Sequence, residues 1–373
     1  MNAKHIGIVI SVTAIACFAG FATAKPLSIT TWNAEHLMSE ERFEEWKTFC
    51  GKLDWPNSRD QTLSDEIRAE LKKKPKRLTY CNALGWPRAV RVLSDHKEKV
   101  ASLRALSEQL QSDIYFFQEV SDAKAIQELI NDKDYVSVSS FELLKDVTMP
   151  QNVGIAYRKG VFDKEPTILL NTDVMVLHES KSGEKRPVRP GIELHGSING
   201  KELAFLNLHM KSSCHEYELD NTKADCQTYA KQVHQIEIWI EKMADAGKDF
   251  VLLGDFNRVF DIDSSYEARS DGGSAQASPT KESQTRSFLH EINDGNPDNV
   301  SIYYAPNVFV RKHSDWNCYE KIDRFFLNKT FAETIIWKTP ELGLAAKGKN
   351  YPDFGKDKVK PSDHCPITLE LPL

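Results

Sequence analysis

A chain of 373 residues, 40% hydrophobic and 27% charged, has the composition of an ordinary globular protein and can bury one large core or two modest ones. Its net charge of −6 excludes a globally basic nucleic-acid coat. It does not exclude an enzyme acting on a polyanion, because local cations and a metal ion can hold a phosphate on an acidic protein.

Residues 1–24 read as a cleavable signal peptide. Lys4 supplies a positive start, Ile6 to Phe21 is apolar and small, and Ala22-Thr23-Ala24 has the A-x-A form of a cleavage site. The apolar stretch is short for a membrane span, and no other segment approaches the roughly 18 consecutive apolar residues of one. The expectation is a secreted or periplasmic chain, residues 25–373, without stable membrane insertion. Cleavage removes Cys17 and leaves Cys50, Cys81, Cys214, Cys226, Cys318 and Cys365. An even number in an exported chain points to disulfides. Proximity in sequence favours Cys50 with Cys81 and Cys214 with Cys226, and leaves Cys318 and Cys365 by elimination. No C-x-x-C or regular Cys/His spacing supports a zinc site.

Along the mature chain, short β-branched and aromatic runs alternate with amphipathic helical stretches. Ser28 to Trp32, Ile114 to Phe117, Gly154 to Tyr157, Leu203 to Leu208, Phe250 to Leu253, Ile322 to Leu327 and Ile367 to Leu371 read as strands. A helix is expected from about Asp95, whose spacing to Glu98 fits a capping box, with Val100, Leu103, Leu106 and Leu110 on one face. A second covers about Ala224 to Ala246, with Gly247 as its stop. The pattern is α/β or α+β. Residues 39–94, with a cysteine pair and the basic run Lys72 to Arg77, and the Ser/Gly-rich residues 264–287 read as embellishments, the second as a flexible loop.

Polar residues recur where the apolar runs stop. Asn33 ends the first strand, Glu119 follows IYFF, His209 ends LAFLNL, Asp255 and Asn257 follow FVLL, and Asp363-His364 precede the last strand. Each alone has an ordinary explanation as a turn residue, a helix cap or a satisfied histidine. Their recurrence points to one shared sheet edge, where loops carry function.

TWNAEHL, FFQEV, LNLHMKS, LLGDFNR, KIDRFFLN and PSDHCPI resemble, in order, the motifs of the endonuclease/exonuclease/phosphatase superfamily in its deoxyribonuclease I-like branch. The resemblance runs from Ser28 to the end of the chain apart from the two embellishments. It implies a single domain folded as a four-layered α/β sandwich, two mixed β-sheets packed face to face with helices outside. It also marks residues 39–94 as an insertion beside the active site.

The resemblance assigns roles by position. Glu119 would be the main ligand of a Mg²⁺ ion, with Mn²⁺ or Ca²⁺ as alternatives, and Asn33, Asp363 and Glu35 would complete or second that site. Asp255 and Asn257 would hold the attacking water and a phosphate oxygen. His364, oriented by Asp323, and His209 would carry protons on either side of the phosphate. Gln151 stands nearest to where family nucleases place a carboxylate on the His209 imidazole. Arg186 and Arg189 fall where a phosphate-contacting arginine is common, and Lys211 follows His209 at the edge of the groove. His215, His234, His290 and His313 match no motif and read as surface or structural.

These features favour an exported endonuclease of low sequence specificity that cuts DNA, with RNA open, to 5′-phosphate ends. The alternative is a phosphatase or phospholipase C-type hydrolase acting on inositol phosphates or sphingomyelin. A catalytically dead binding protein would be expected to have lost one of Glu119, Asp255, His209 or His364, and all four are present.

Overall fold

The computed structural model describes residues 25–51, 69, 73–78, 81, 90, 92–144, 149–180, 183–264, 287–293, 302–304, 307–308, 322–338, 346–348 and 362–373. The expected signal peptide, Cys318, His313, Lys72 and most of 264–287 lie outside these residues. The strands in chain order are β1 (Leu27–Leu37), β2 (Ile114–Val120), β3 (Tyr135–Ser139), β4 (Asn152–Arg158), β5 (Thr167–Asn171), β6 (Leu177–Glu179) and β7 (Lys185–Pro187). They continue with β8 (Gly191–Ile198), β9 (Lys201–His209), β10 (Asp249–Asp255), β11 (Ile302–Tyr304), β12 (Asn307–Val308), β13 (Asp323–Asn328), β14 (Ala346–Gly348) and β15 (Ile367–Leu371). The helices are α1 (Glu40–Cys50), α2 (Leu93–Leu110), α3 (Ala123–Ile130), α4 (Ser140–Leu143), α5 (Ala224–Asp245), α6 (Phe260–Asp263), α7 (Phe288–Glu291) and α8 (Lys329–Lys338).

Two mixed sheets form the centre, one ordered β12-β14-β15-β1-β2-β4-β3 and the other β11-β13-β10-β9-β8-β5. Ile29, Phe116 and Ile155 from the first meet Phe205, Val251 and Phe325 from the second in one apolar layer. The outer face of the first sheet packs Trp32, Tyr115 and Phe117 on Leu103 and Leu106 of α2 and Ile126 and Leu129 of α3. The outer face of the second packs Leu206, Phe250 and Leu252 on Val233, Ile236 and Trp239 of α5. These are the four layers expected. Sheets covered on both faces explain why the central strands read as continuous apolar runs rather than alternating ones. β5 and β8 escaped the sequence reading because Thr167, Glu193 and His195 interrupt their apolar pattern, and the expected strands lengthen at their polar ends.

Helix α5 ends as expected, with Gly247 at φ 64° in the left-handed conformation that suits glycine. Helix α2 corrects the capping box: Val92 is the N-cap and makes no side-chain cap bond, so Asp95 already stands inside the first turn. There its charge favours the positive helix end without capping it.

The described residues of the expected insertion share a small core. Phe43, Trp46 and Cys50 of α1 pack with Met38, Leu78 and Cys81, and the disulfide Cys50–Cys81 closes it. Cys214–Cys226 is the second expected bridge, and Cys365 is disulfide-bonded as well. Such bridges suit an oxidising compartment. The basic run is partly committed: Arg77 pairs with Glu45, and Lys74 Nζ donates to the Pro75 carbonyl at 3.2 Å. No helix among the described residues is long and apolar enough to cross a membrane.

His96 of α2 stacks on Phe43 with ring centroids 4.4 Å apart. Burial, aided by the Lys99 charge, lowers its pKa from 6.5 to about 4. Between those two values the unfolded chain binds the extra proton, so the folded state is favoured above about pH 6.5 and loses that advantage as pH falls towards 4. The loss should amount to roughly 3 kcal/mol. Compared from pH 7.5 to 4.5, the urea midpoint of wild type should fall relative to that of His96→Phe as the pH drops. Parallel curves would show that His96 is not held neutral.

Arg258, the last residue of GDFNR, is wholly buried. It pairs with Asp263 and donates to the carbonyls of Cys214 at 3.0 Å and Tyr217 at 2.9 Å. Asp263 also accepts from Ser287 Oγ at 2.8 Å and from the N–H groups of Phe288 and Leu289 at 3.0 and 2.8 Å. The two ends of the 264–287 embellishment therefore meet at one carboxylate.

Candidate active site

Backbone pairing carries the polar strand ends to one place. β1 and β2 run parallel with Asn33 opposite Gln118, while Asp255 lies opposite both His209 on β9 and Asp323 on β13. β15 returns antiparallel to β1, and Ser362 just before it donates to the Asn33 carbonyl at 2.8 Å. The same hydroxyl accepts from the His364 N–H at 3.1 Å. Two residues far apart in sequence are thus tied to a single serine.

Gly254 sets the approach of β10 to β9. Its φ is 132°, and a Cβ there would lie 2.0 Å from the Leu208 carbonyl oxygen, so only glycine lets Asp255 reach its place beside His209. Four non-glycine residues at the site adopt the left-handed region: Glu35 (φ 45°), His36 (54°), Glu119 (58°) and Asn257 (50°). Such backbone persists only where surrounding contacts over-determine it. Here Glu35 N–H donates to Asn33 Oδ1 at 3.0 Å, Lys99 donates to the Glu35 carbonyl, and Asn257 N–H donates to Asp255 Oδ1 at 2.8 Å.

Asp255 is the centre of the cluster. Its Oδ2 accepts from Asn33 Nδ2 at 2.9 Å and lies 3.4 Å from His209 Nε2 and 3.9 Å from His364 Nε2. His364 Nδ1 is 2.7 Å from Asp323 Oδ2, the orienting pair expected from the sequence. Glu119 Oε1 lies 3.8 Å from His209 Nε2, and Asp363 Oδ1 lies 3.8 Å from His364 Nε2 with its side chain half exposed.

The electrostatics separate the acids. Burial would raise Glu119, but its neighbours His36, His209 and Arg189 hold it down to about 2. Burial raises Asp255 to about 7 against the pull of His364. Burial would lower His364, and the Asp323 charge and hydrogen bond overcome it and push the group well above its ordinary value. His209 is lowered by burial and by Arg189, and so favours the neutral imidazole. Asp255, Asp323 and His364 offer ligand atoms within 4.8 Å of one another and could hold a metal ion.

Some assigned positions fall elsewhere. Gln151 was expected on His209; instead its Nε2 is 3.3 Å from His36 Nδ1, and its Oε1 accepts from Arg189 at 2.8 Å. The reason is His36, which takes the amide, while His209 Nδ1 is buried without a hydrogen-bond partner among the described residues. His36 had no role in the sequence reading, although it lies three residues beyond Asn33 in the same motif. Arg186 stands exposed on β7 opposite His178. The Lys211 ammonium is held by Asp225 at 2.6 Å, so its charge does not face the groove unpaired. Asn257 Nδ2 donates to the Met210 carbonyl at 3.3 Å, and its own carbonyl is 2.9 Å from His215 Nδ1, which makes His215 structural.

Residues 30–364 match the model of a family described as the Endonuclease/Exonuclease/phosphatase family. No curated protein matches the chain in sequence. Among solved structures it is similar to a mannosyl-6-phosphatase of Bacteroides thetaiotaomicron VPI-5482, at 14% identity over 92% of this chain and 99% of that one, with a TM-score of 0.45. It is also similar to truncated TDP2 of Caenorhabditis elegans, at 17% identity over 74% and 91%, TM-score 0.41. A third is the human Nocturnin catalytic domain with bound sulfate, at 12% identity over 93% of each chain, TM-score 0.42.

Proposed function

Because the chain belongs to the Endonuclease/Exonuclease/phosphatase family, we propose that it is an exported, metal-dependent phosphodiesterase that cuts DNA as an endonuclease of low sequence specificity, leaving 5′-phosphate ends. The observation that carries this reading is one carboxylate oxygen, Asp255 Oδ2, set between two imidazoles, His209 Nε2 at 3.4 Å and His364 Nε2 at 3.9 Å. Hydrolysis of a diester needs a proton acceptor facing the attacking water and a donor facing the leaving oxygen, and this spacing offers both.

Mg²⁺ prefers oxygen donors and keeps several waters, so the ionised Glu119 suits it best, with Asn33, Asp363 and Glu35 as supporting groups. The buried Asp255, Asp323 and His364 group is a poorer fit, because Asp323 and His364 are already bonded to each other at 2.7 Å. When bound, the cation supplies charge neutralisation at the phosphate. The remaining work belongs to side chains. Asn33 and the Asn257 N–H fix the Asp255 carboxylate. Asp323 holds His364 so that Nε2 faces Asp255, and a water between the two gives its proton to that pair. His209, neutral and without a carboxylate on Nδ1, offers its Nε2–H to the phosphate.

The chain beginning at Lys25, mixed with supercoiled plasmid and Mg²⁺ or Mn²⁺, should produce nicked circles, stop on chelation, and leave nicks that DNA ligase can seal. Intact plasmid with a folded, metal-supplied chain would overturn the nuclease reading. Phosphate release from inositol phosphates would then identify a phosphatase.

A further inference from the structure

A line of hydrogen bonds beside the cluster ends on Glu119. Arg189 Nη2 donates to Gln151 Oε1 at 2.8 Å. A guanidinium has only donors, so it decides which end of the Gln151 amide faces it. The other end, Nε2, lies 3.3 Å from His36 Nδ1. An amide nitrogen only donates, so Nδ1 accepts from it.

His36 then meets Glu119 twice. Its backbone N–H donates to Oε2 at 3.2 Å, and its ring lies beside the same oxygen with Nδ1 at 3.4 Å, where an Nδ1 that accepts from Gln151 gives that oxygen no proton but fixes the conformation from which the N–H donates. Both residues sit in the left-handed region, at φ 54° and 58°, which non-glycine residues avoid. Local preference therefore works against this placement, and the contacts must maintain it.

We infer that Arg189, Gln151 and His36 form a positioning line for the Glu119 carboxylate, so that the shape of the cation site depends on residues that do not themselves bind the cation. The inference rests on Glu119 being a cation ligand. It gives Gln151 a role in orienting His36 rather than His209, and it gives Arg189 a role before any phosphate arrives.

Calorimetric titration of the full mature chain with Mn²⁺ alone tests it without reference to turnover. His36→Gly keeps the backbone N–H and relieves the positive φ while deleting the ring, and Gln151→Leu breaks the line one step earlier. Each should weaken Mn²⁺ binding by about tenfold or more, the usual effect of removing a partner behind a metal ligand. His36→Asn, which tolerates positive φ and keeps a side-chain acceptor, should bind close to wild type. Wild-type Mn²⁺ affinity in both His36→Gly and Gln151→Leu would overturn the inference. Wild type that bound no Mn²⁺ would remove the assignment of Glu119 itself, and the inference with it.

Discussion

Replacing His364 with alanine is expected to lower turnover on plasmid DNA by about 10²–10⁴-fold, the usual contribution of a positioned proton carrier. The imidazole is buried, its Nδ1 is committed to Asp323 at 2.7 Å, and its Nε2 faces Asp255 at 3.9 Å. It has no freedom to be replaced by a neighbour. Asp323→Asn should lose activity within the same range, since it keeps a hydrogen-bonding group but removes the charge that stabilises the protonated ring. Added imidazole should restore part of the rate in His364→Ala and none in Asp323→Asn, where the ring is still present. A rate for His364→Ala within tenfold of wild type, with an unchanged circular dichroism spectrum, would mean that proton transfer takes another route.

The second large effect is expected on stability. Arg258→Met should destabilise the fold by about 3–5 kcal/mol, the range for breaking one side of a buried ion pair. The substitution removes the counter-charge of a buried Asp263 and leaves the Cys214 and Tyr217 carbonyls without their donor. Asp263 retains the Ser287 hydroxyl and two N–H groups, so the loss should not exceed that range. Chemical unfolding of both proteins gives the difference directly. A loss under about 1 kcal/mol would show that the pair behaves like a solvated surface bridge.

Much of the site was readable because strand ends are marked locally. An apolar run that stops at Asn33, Glu119, His209 or Asp255 announces both the strand and the edge it reaches, and family motifs then supplied the Asp323–His364 pair. What could not be read was the pairing that depends on distance through space. His36 and Glu119 are 83 residues apart, and nothing in TWNAEHL says that its histidine will turn through a positive φ onto FFQEV. Gln151 was placed on the wrong imidazole for the same reason, since its partner was a residue without a motif role. The false capping box at Asp95 was a different failure. Spacing alone cannot say whether an aspartate lies before the first turn or within it, and the extended Val92 settled that point.

The neighbours β1 and β15 impose an order on biosynthesis. Thr30 Oγ1 and Thr368 Oγ1 are 2.7 Å apart across 338 residues of chain, and beside the same strand pair Ser362 links His364 to Asn33. A strand synthesised among the first must wait for one synthesised long after it, which is the slowest kind of contact to close. Until then the growing polypeptide has Asn33, Glu119 and Asp255 but lacks the imidazole that completes them. Every incomplete copy therefore lacks the His364 imidazole, and any activity that needs it can begin only once the last strand has docked.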